Sequence, residues 1–313
     1  MTSLETVQSV CPLCLEPPSE AHAAGPDFEY DTTPGTEWSL KRCIRCDVVM
    51  LAPRPAESAL GTIYPSNYYA FDFSGKPSLG RRVKTLLDRR TIGTYLGYAP
   101  KDAAILDVGC GDGRLLHLFA GRGVPKERLY GMELNARAVE AAKARGLNVV
   151  LGRFEDVDYP QDFFGLAVMQ QVIEHVSDPR DVLTRLHRLL APGGALVLET
   201  PNTASWDHRL FQKRHWGGYH IPRHFFLFNP GSLTKLLEDC GYRVVASKSL
   251  ASPSFWILSV HHRLAERGAP GFLLRFFDST LPNPLALVAF TLLDGLGKML
   301  GITSNMRIVA VKA

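Results

Sequence analysis

Apolar positions along the chain fall into short unbroken runs separated by segments with helical spacing, and that alternation lays out the fold. Ile105–Val108 is an apolar run that ends in Gly109-x-Gly111-x-Gly113, and Arg114 to Phe119 follow with helical spacing. Leu129–Met132 reads as a second strand ending in Glu133, residues 136–144 as a helix stopped by Gly146, and Asn148–Leu151 as a third strand. Gly165–Met169 is a fourth strand, residues 180–190 a helix, Ala191-Pro192-Gly193-Gly194 a stop, and residues 195–199 a fifth strand. A helix over residues 230–240 precedes two further strands, at 242–246 and 306–311, expected to close the sheet as an antiparallel pair. Strands alternating with helices in this way predict an α/β fold: a doubly wound, mostly parallel, seven-stranded sheet.

Three regions stand outside that alternation. Residues 1–55 form a small module, in which Trp38–Arg42 alternates as a strand and Val48–Leu51 is a second apolar run. Residues 56–100 form a linker with an aromatic turn, Tyr64-Pro65-Ser66-Asn67-Tyr68-Tyr69, that is expected either to lie over a ligand pocket or to pack as a linker. Its second half carries Lys76, Arg81, Arg82, Lys84, Arg89 and Arg90 against Asp88, with Val83, Leu86, Leu87 and Ile92 as an apolar stripe. This is an amphipathic helix whose basic face meets either solvent or an anionic surface. Residues 101–313 form the main domain, interrupted at 253–303 by an apolar, helical insertion before the last strand. The run 284–293 is uncharged but too short and proline-interrupted to span a bilayer, which leaves a lid, a homodimer contact or a membrane-interface surface.

Composition adds limits. The chain has 313 residues, 46 % of them hydrophobic, and a formal charge of +4, too mild to predict a nucleic-acid surface. The first ten residues lack a basic head followed by an apolar core, so a cytoplasmic location is expected, with membrane association as a variant. Four of the six cysteines form two pairs, Cys11-x-x-Cys14 and Cys43-x-x-Cys46, separated by residues 15–42. Four thiolates so spaced close a tetrahedral site with no open position, so a structural zinc is expected in a zinc-ribbon-like module, with a disulfide pair or unrelated thiols as the rivals.

The glycine turn carries the main chemistry. A strand, a tight turn and a helix N-terminus let backbone amides approach a nucleotide-like ligand, which fits a dinucleotide or S-adenosylmethionine equally. The spacing is not Gly-x-Gly-x-x-Gly, and Asp107 precedes the first glycine by two residues. A carboxylate there repels a diphosphate but favours a sulfonium and an ammonium. Residues 104–113 resemble motif I of class I S-adenosylmethionine-dependent methyltransferases, D-x-G-C-G-x-G, without a gap. Farther on, Glu174-His175-Val176-Ser177-Asp178-Pro179, Leu190-Ala191-Pro192-Gly193-Gly194 and Thr200-Pro201-Asn202 are similar to the broad family that includes the ubiquinone O-methyltransferases. One departure is Gly165, where that family usually has aspartate. The resemblance implies that Asp107, Gly109, Gly111, Glu133 and Gln170 bind S-adenosylmethionine, with Asp107 orienting its amino group and Glu133 its ribose. It also places Phe154 and Glu155 at the adenine.

For the transfer itself the protein has to align an acceptor with the methyl group and, for a hydroxyl, remove a proton. His175, at the C-terminal edge of the fourth strand, suits that task, with backbone hydrogen bonding at a helix N-terminus as its alternative. Trp216 to Phe228 hold Tyr219, His220 and His224 among aromatics, a candidate lid and substrate wall. The His224-x-x-x-Phe228 step matches the family, and zinc-ribbon sugar C-methyltransferases carry a comparable segment. Transfer to oxygen on a small, bulky, apolar or lipid-linked acceptor is the first expectation, and C-methylation of a nucleotide-linked sugar the second. RNA modification and a non-catalytic zinc-ribbon scaffold are further readings.

Overall fold

The computed structural model describes residues 4–65, 88, 90–278 and 283–313. The basic stretch of the linker therefore lies, apart from Asp88 and Arg90, outside the described residues, as do Tyr68 and Tyr69.

In the N-terminal region, β1 (Thr6–Val7) pairs with β5 (Arg54–Pro55), and β2 (Glu20–Gly25), β3 (Trp38–Arg42) and β4 (Val49–Leu51) form an antiparallel sheet. The main sheet contains β6 (Ala104–Val108), β7 (Leu129–Glu133), β8 (Asn148–Leu151), β9 (Phe164–Gln170), β10 (Leu190–Pro201), β12 (Tyr242–Leu250) and β13 (Asn305–Lys312). Its order is β12-β13-β10-β9-β6-β7-β8; β13 runs antiparallel to both its neighbours, and β10, β9, β6, β7 and β8 are parallel. The expected seven-stranded, mostly parallel sheet is therefore present. Its central strand β9 is buried along almost its whole length, which is why it reads as an unbroken apolar run.

Local chemistry sets the element ends. Asn135, Asp178 and Asn229 each accept a backbone N–H as helix N-caps, the last in a reciprocal box with Ser232. The predicted stop at residues 191–194 is a bulge rather than a break. Leu190 still pairs with Phe164, and the register shifts before Ala195, with Gly193 at φ +74°. Gly165 also has a physical reason: a Cβ there would run into the Ala103 Cβ and come within 2.9 Å of Pro100 Cδ. An aspartate would not fit against that turn.

The N-terminal sheet is completed from outside its own segment. Its order is β11-β4-β3-β2, where β11 (Phe226–Leu227) comes from the aromatic segment of the main domain. An ion pair holds this junction. Arg223 and Asp27, both with 0 % of their side chains exposed, pair at 2.7 Å, and Asp27 also accepts from Thr32 N and Thr32 Oγ1. Burial by itself would raise the Asp27 carboxyl, but the Arg223 guanidinium and the Thr32 hydrogen bonds hold it below its usual value.

The insertion forms three helices, Pro253–Glu266, Gly271–Phe276 and Pro284–Met299. The last docks by a face that carries small and polar groups: Ala286 and Asp294 are buried, Gly297 sits against Trp206, and Asp294 accepts from Trp256 Nε1 at 2.9 Å. Its opposite face exposes Leu285, Val288, Leu292, Leu296 and Met299, one stripe at three- and four-residue spacing. No helix among the described residues is long and apolar enough to cross a membrane.

Asp27→Asn removes one partner of a dry ion pair and strands the Arg223 charge, so unfolding in urea should show a loss of about 3–5 kcal/mol. The double replacement Asp27→Leu with Arg223→Met should recover most of it; a single-variant loss below about 1 kcal/mol would contradict the role given to the pair.

Candidate active site

The glycine turn adopts a shape that favours glycine. Gly109, Gly111 and Gly113 have φ of +73°, +53° and +75°, and a Cβ on Gly109 would lie 2.5 Å from Val172 Cγ2. That contact joins the turn to the segment leaving β9, on which Gln170 to His175 lie. Gly109 N and Cys110 N donate to the Met132 carbonyl, and Gly111 N donates to Glu133 Oε2 at 2.9 Å. Glu133 Oε1 accepts from Asn135 N at 2.9 Å, so the carboxylate is fixed at the end of β7 beside the turn.

Asp107 is buried in β6, and its Oδ2 has no hydrogen-bond partner. Burial, and then the Glu133 charge, push its carboxyl well above the ordinary range. Two neighbouring carboxylates, one of them with an oxygen lacking a partner, suit a cationic ligand. The residues therefore fit the amino-acid end and ribose of S-adenosylmethionine. Phe154 is buried in the turn after β8, and Glu155 lies beside it in the chain. Gln170 Nε2 donates to Tyr95 Oη at 3.1 Å, and Tyr95 donates to Glu199, which also pairs with Arg307. This network was not visible in the sequence, since its members come from four separate segments.

The three predicted histidines converge. His175 and His224 have ring centroids 4.6 Å apart, and His220 lies 5.0 Å from His224. Different elements place them: His175 follows β9, while His220 and His224 flank Arg223, and Phe225 N and Phe226 N donate to the Glu174 carbonyl. His220 pairs with Glu29 at 2.7 Å. The Tyr64 hydroxyl meets His175 Nδ1 at 2.9 Å, which brings the first residue of the predicted aromatic turn to this cluster; residues 66–69 lie outside the described residues. Burial pushes His175 down to about 3 and His224 well below its ordinary value, so both rings are neutral. Glu174, fully buried between them and Thr200, is pushed up by burial to about 8. Sequence reading passed over Glu174 although it adjoins His175 in the Glu-His pair.

Tyr219 faces elsewhere. Its hydroxyl donates to the Gln212 carbonyl at 2.5 Å and meets His208 Nε2 at 3.1 Å, within a second aromatic cluster that includes His22. Cys11, Cys14, Cys43 and Cys46 form one group with sulfurs within 4.8 Å of one another, and Cys14 and Cys43 are 3.5 Å apart. Tetrahedral zinc requires sulfurs about 3.7 Å apart, so this closed donor set fits a structural zinc.

Comparison with known proteins agrees with this geometry. A family described as "Methyltransferase domain" matches residues 79–247. Trans-aconitate 2-methyltransferase of Methylobacterium radiotolerans is 29 % identical over 169 residues, covering 52 % of this chain and 64 % of that protein. An uncharacterized protein of Mycobacterium tuberculosis (H37Rv) is 30 % identical over 198 residues, covering 62 % and 63 %. The chain thus spans less than two thirds of these relatives' lengths. Geranyl diphosphate C-methyltransferase from Streptomyces coelicolor A3(2), solved with Mg2+, geranyl diphosphate and S-adenosyl-L-homocysteine, superposes with a TM-score of 0.50 at 15 % identity. The match covers 80 % of this chain and 88 % of that one, a likeness of fold.

A cation can bind Asp107 only in its ionised form, so S-adenosylmethionine affinity should rise with pH through the elevated Asp107 value. In Asp107→Asn it should be weak and flat. Calorimetric titration across pH reads this, and identical profiles for the two proteins would refute the assignment.

Proposed function

The chain belongs to the S-adenosylmethionine-dependent methyltransferases, and from that premise we propose that it methylates an oxygen of a bulky, apolar or lipid-linked small molecule. The observation that carries the proposal is the convergence of His175, His220 and His224, the first of which lies on the segment that also touches the cofactor turn through Val172. S-adenosylmethionine supplies an activated methyl group, so the protein's own work is alignment and proton handling. Asp107, Gly109, Gly111, Glu133 and Gln170 hold the cofactor, with Phe154 and Glu155 at its adenine. His175, the most open member of its cluster, accepts the acceptor's proton, and His224 and His220 shape the pocket around it. Tyr219 supports the wall through His208 rather than touching the acceptor.

A small-molecule acceptor agrees with a relative named for trans-aconitate and with the mild net charge, which offers little to RNA. An apolar or membrane-borne acceptor is supported by the exposed stripe of helix Pro284–Met299, together with the basic linker sequence. The architecture also accommodates C-methylation, and the acceptor's reacting atom distinguishes the two.

His175→Ala should lower kcat by about 10²–10⁴-fold while leaving S-adenosylmethionine affinity unchanged. Turnover is read by mass spectrometry against a panel of hydroxylated apolar acceptors, and undiminished turnover would remove His175 from the mechanism. Replacing Leu292 and Leu296 by Glu should abolish flotation with anionic liposomes; a wild-type chain that fails to float would remove the membrane part of the proposal.

A further inference from the structure

We propose that Glu174, His175 and His224 form a second metal site, distinct from the four cysteines, for a divalent transition-metal ion of the zinc class. One ligand atom from each of the three residues lies within 4.8 Å of the others. Their hydrogen bonds fix the tautomers needed for ligation. The Gly218 carbonyl can only accept, so His224 Nδ1 donates to it, at 2.8 Å, and Nε2 keeps its lone pair. His224 Nε2 faces Glu174 Oε1 at 4.0 Å. The Arg223 carbonyl, at 3.0 Å, can likewise only accept, so His175 Nδ1 donates to it, with the Tyr64 hydroxyl oxygen at 2.9 Å as a second acceptor, and that ring's Nε2 is left as the ligand atom. Histidines that ligate metals almost always anchor the remote N–H on such a carbonyl or on a carboxylate.

Glu174 completes the pattern. Its Oε2 accepts from Thr200 Oγ1 at 2.9 Å, while Oε1 is buried, has no hydrogen-bond partner and points at the histidines. A buried carboxylate oxygen without a partner costs stability unless a ligand pairs with it. The backbone at this residue is also fixed, because the Glu174 carbonyl accepts from Phe225 N at 2.7 Å and Phe226 N at 3.1 Å. Two imidazoles and one carboxylate are the donor set of catalytic rather than structural zinc sites, which leave a coordination position open. The ligand distances around zinc are about 2.0–2.2 Å, so the 4.0 Å separation needs only a slight closing of the three side chains.

The site's use rests on the methyl-transfer reading above. An ion here would take over the task given above to His175, whose Nε2 would then be occupied: it would hold the acceptor's oxygen beside the cofactor turn and favour its deprotonated form, with the proton passing to solvent. Metal binding itself does not depend on that use.

The test counts metal on the tag-free full chain after saturation with Zn2+ and removal of free ion. Mass-spectrometric metal analysis should find about two equivalents per chain, falling to about one in Glu174→Gln and in His175→Ala. With Co2+ in place of zinc, the thiolate absorption of the cysteine site should persist in both variants, which shows that they remain folded. A wild-type count of one, with the thiolate absorption present, would overturn the proposal, as would a count of two in both variants. Calorimetric titration with S-adenosylmethionine on the same preparations separates the two readings. Binding with a count of one leaves the methyltransferase assignment standing without the metal; a count of two without binding does the reverse.

Discussion

A guanidinium sealed from water has to be matched by charge and hydrogen bonds, and Arg223 meets that demand through Asp27 and the Ile221 carbonyl. The consequences spread from this point. Arg223 lies between His220 and His224, so the ion pair fixes the backbone that aims both rings, and the Arg223 carbonyl orients His175. Asp27 belongs to the N-terminal region, which is thereby joined to the main sheet at the place where the chemistry is proposed. The same junction makes Phe226–Leu227 an edge strand of the N-terminal sheet. The module whose four cysteines fit zinc is in this way joined to the segment that carries His220 and His224.

The site divides between two kinds of residue. On the proposed cofactor side, buried Asp107 lies near Glu133 and has one carboxylate oxygen without a hydrogen-bond partner, an arrangement that a cation would stabilise. The proposed acceptor side gathers His175, His224 and Glu174, where burial pushes both imidazoles down and the carboxyl up to about 8. One short segment, residues 170–175, serves both. Its Val172 packs on Gly109, its Gln170 enters the Tyr95–Glu199–Arg307 network, and its Glu174 and His175 face the histidine cluster. Cofactor and acceptor are therefore coupled through a few covalently linked residues.

Helix Pro284–Met299 mixes small and polar groups with Phe290 and Leu293 on its inward face, Phe290 stacking on Trp256. Asp294, Ala286 and Gly297 face inward because close approach to Trp206 and a hydrogen bond from Trp256 need small and polar groups there. Leu285, Leu292 and Leu296 are left outside. Likeness to distant solved methyltransferases extends to the fold, and this helix is a feature on which acceptor choice can depend.

The alternating runs and the glycine turn made the main sheet legible, because parallel strands buried on both faces and tight left-handed turns each demand particular residue types. The helices at 136–144 and 230–240 and the antiparallel closing pair were legible for the same reason: caps, glycines and periodicity are local. The cysteine spacing and Asp107 were equally plain, since their chemistry is written in adjacent residues. What only the tertiary structure decided was every pairing across long separations. Arg223 with Asp27, Glu29 with His220, Tyr64 with His175, and Tyr95 with Glu199 leave no periodic trace. The same holds for the turning of Tyr219 toward His208 and for Glu174 keeping one carboxylate oxygen without a partner beside two histidines. Sequence spacing encodes contacts within a turn or a strand; burial and charge matching between distant segments exist only once the chain has folded.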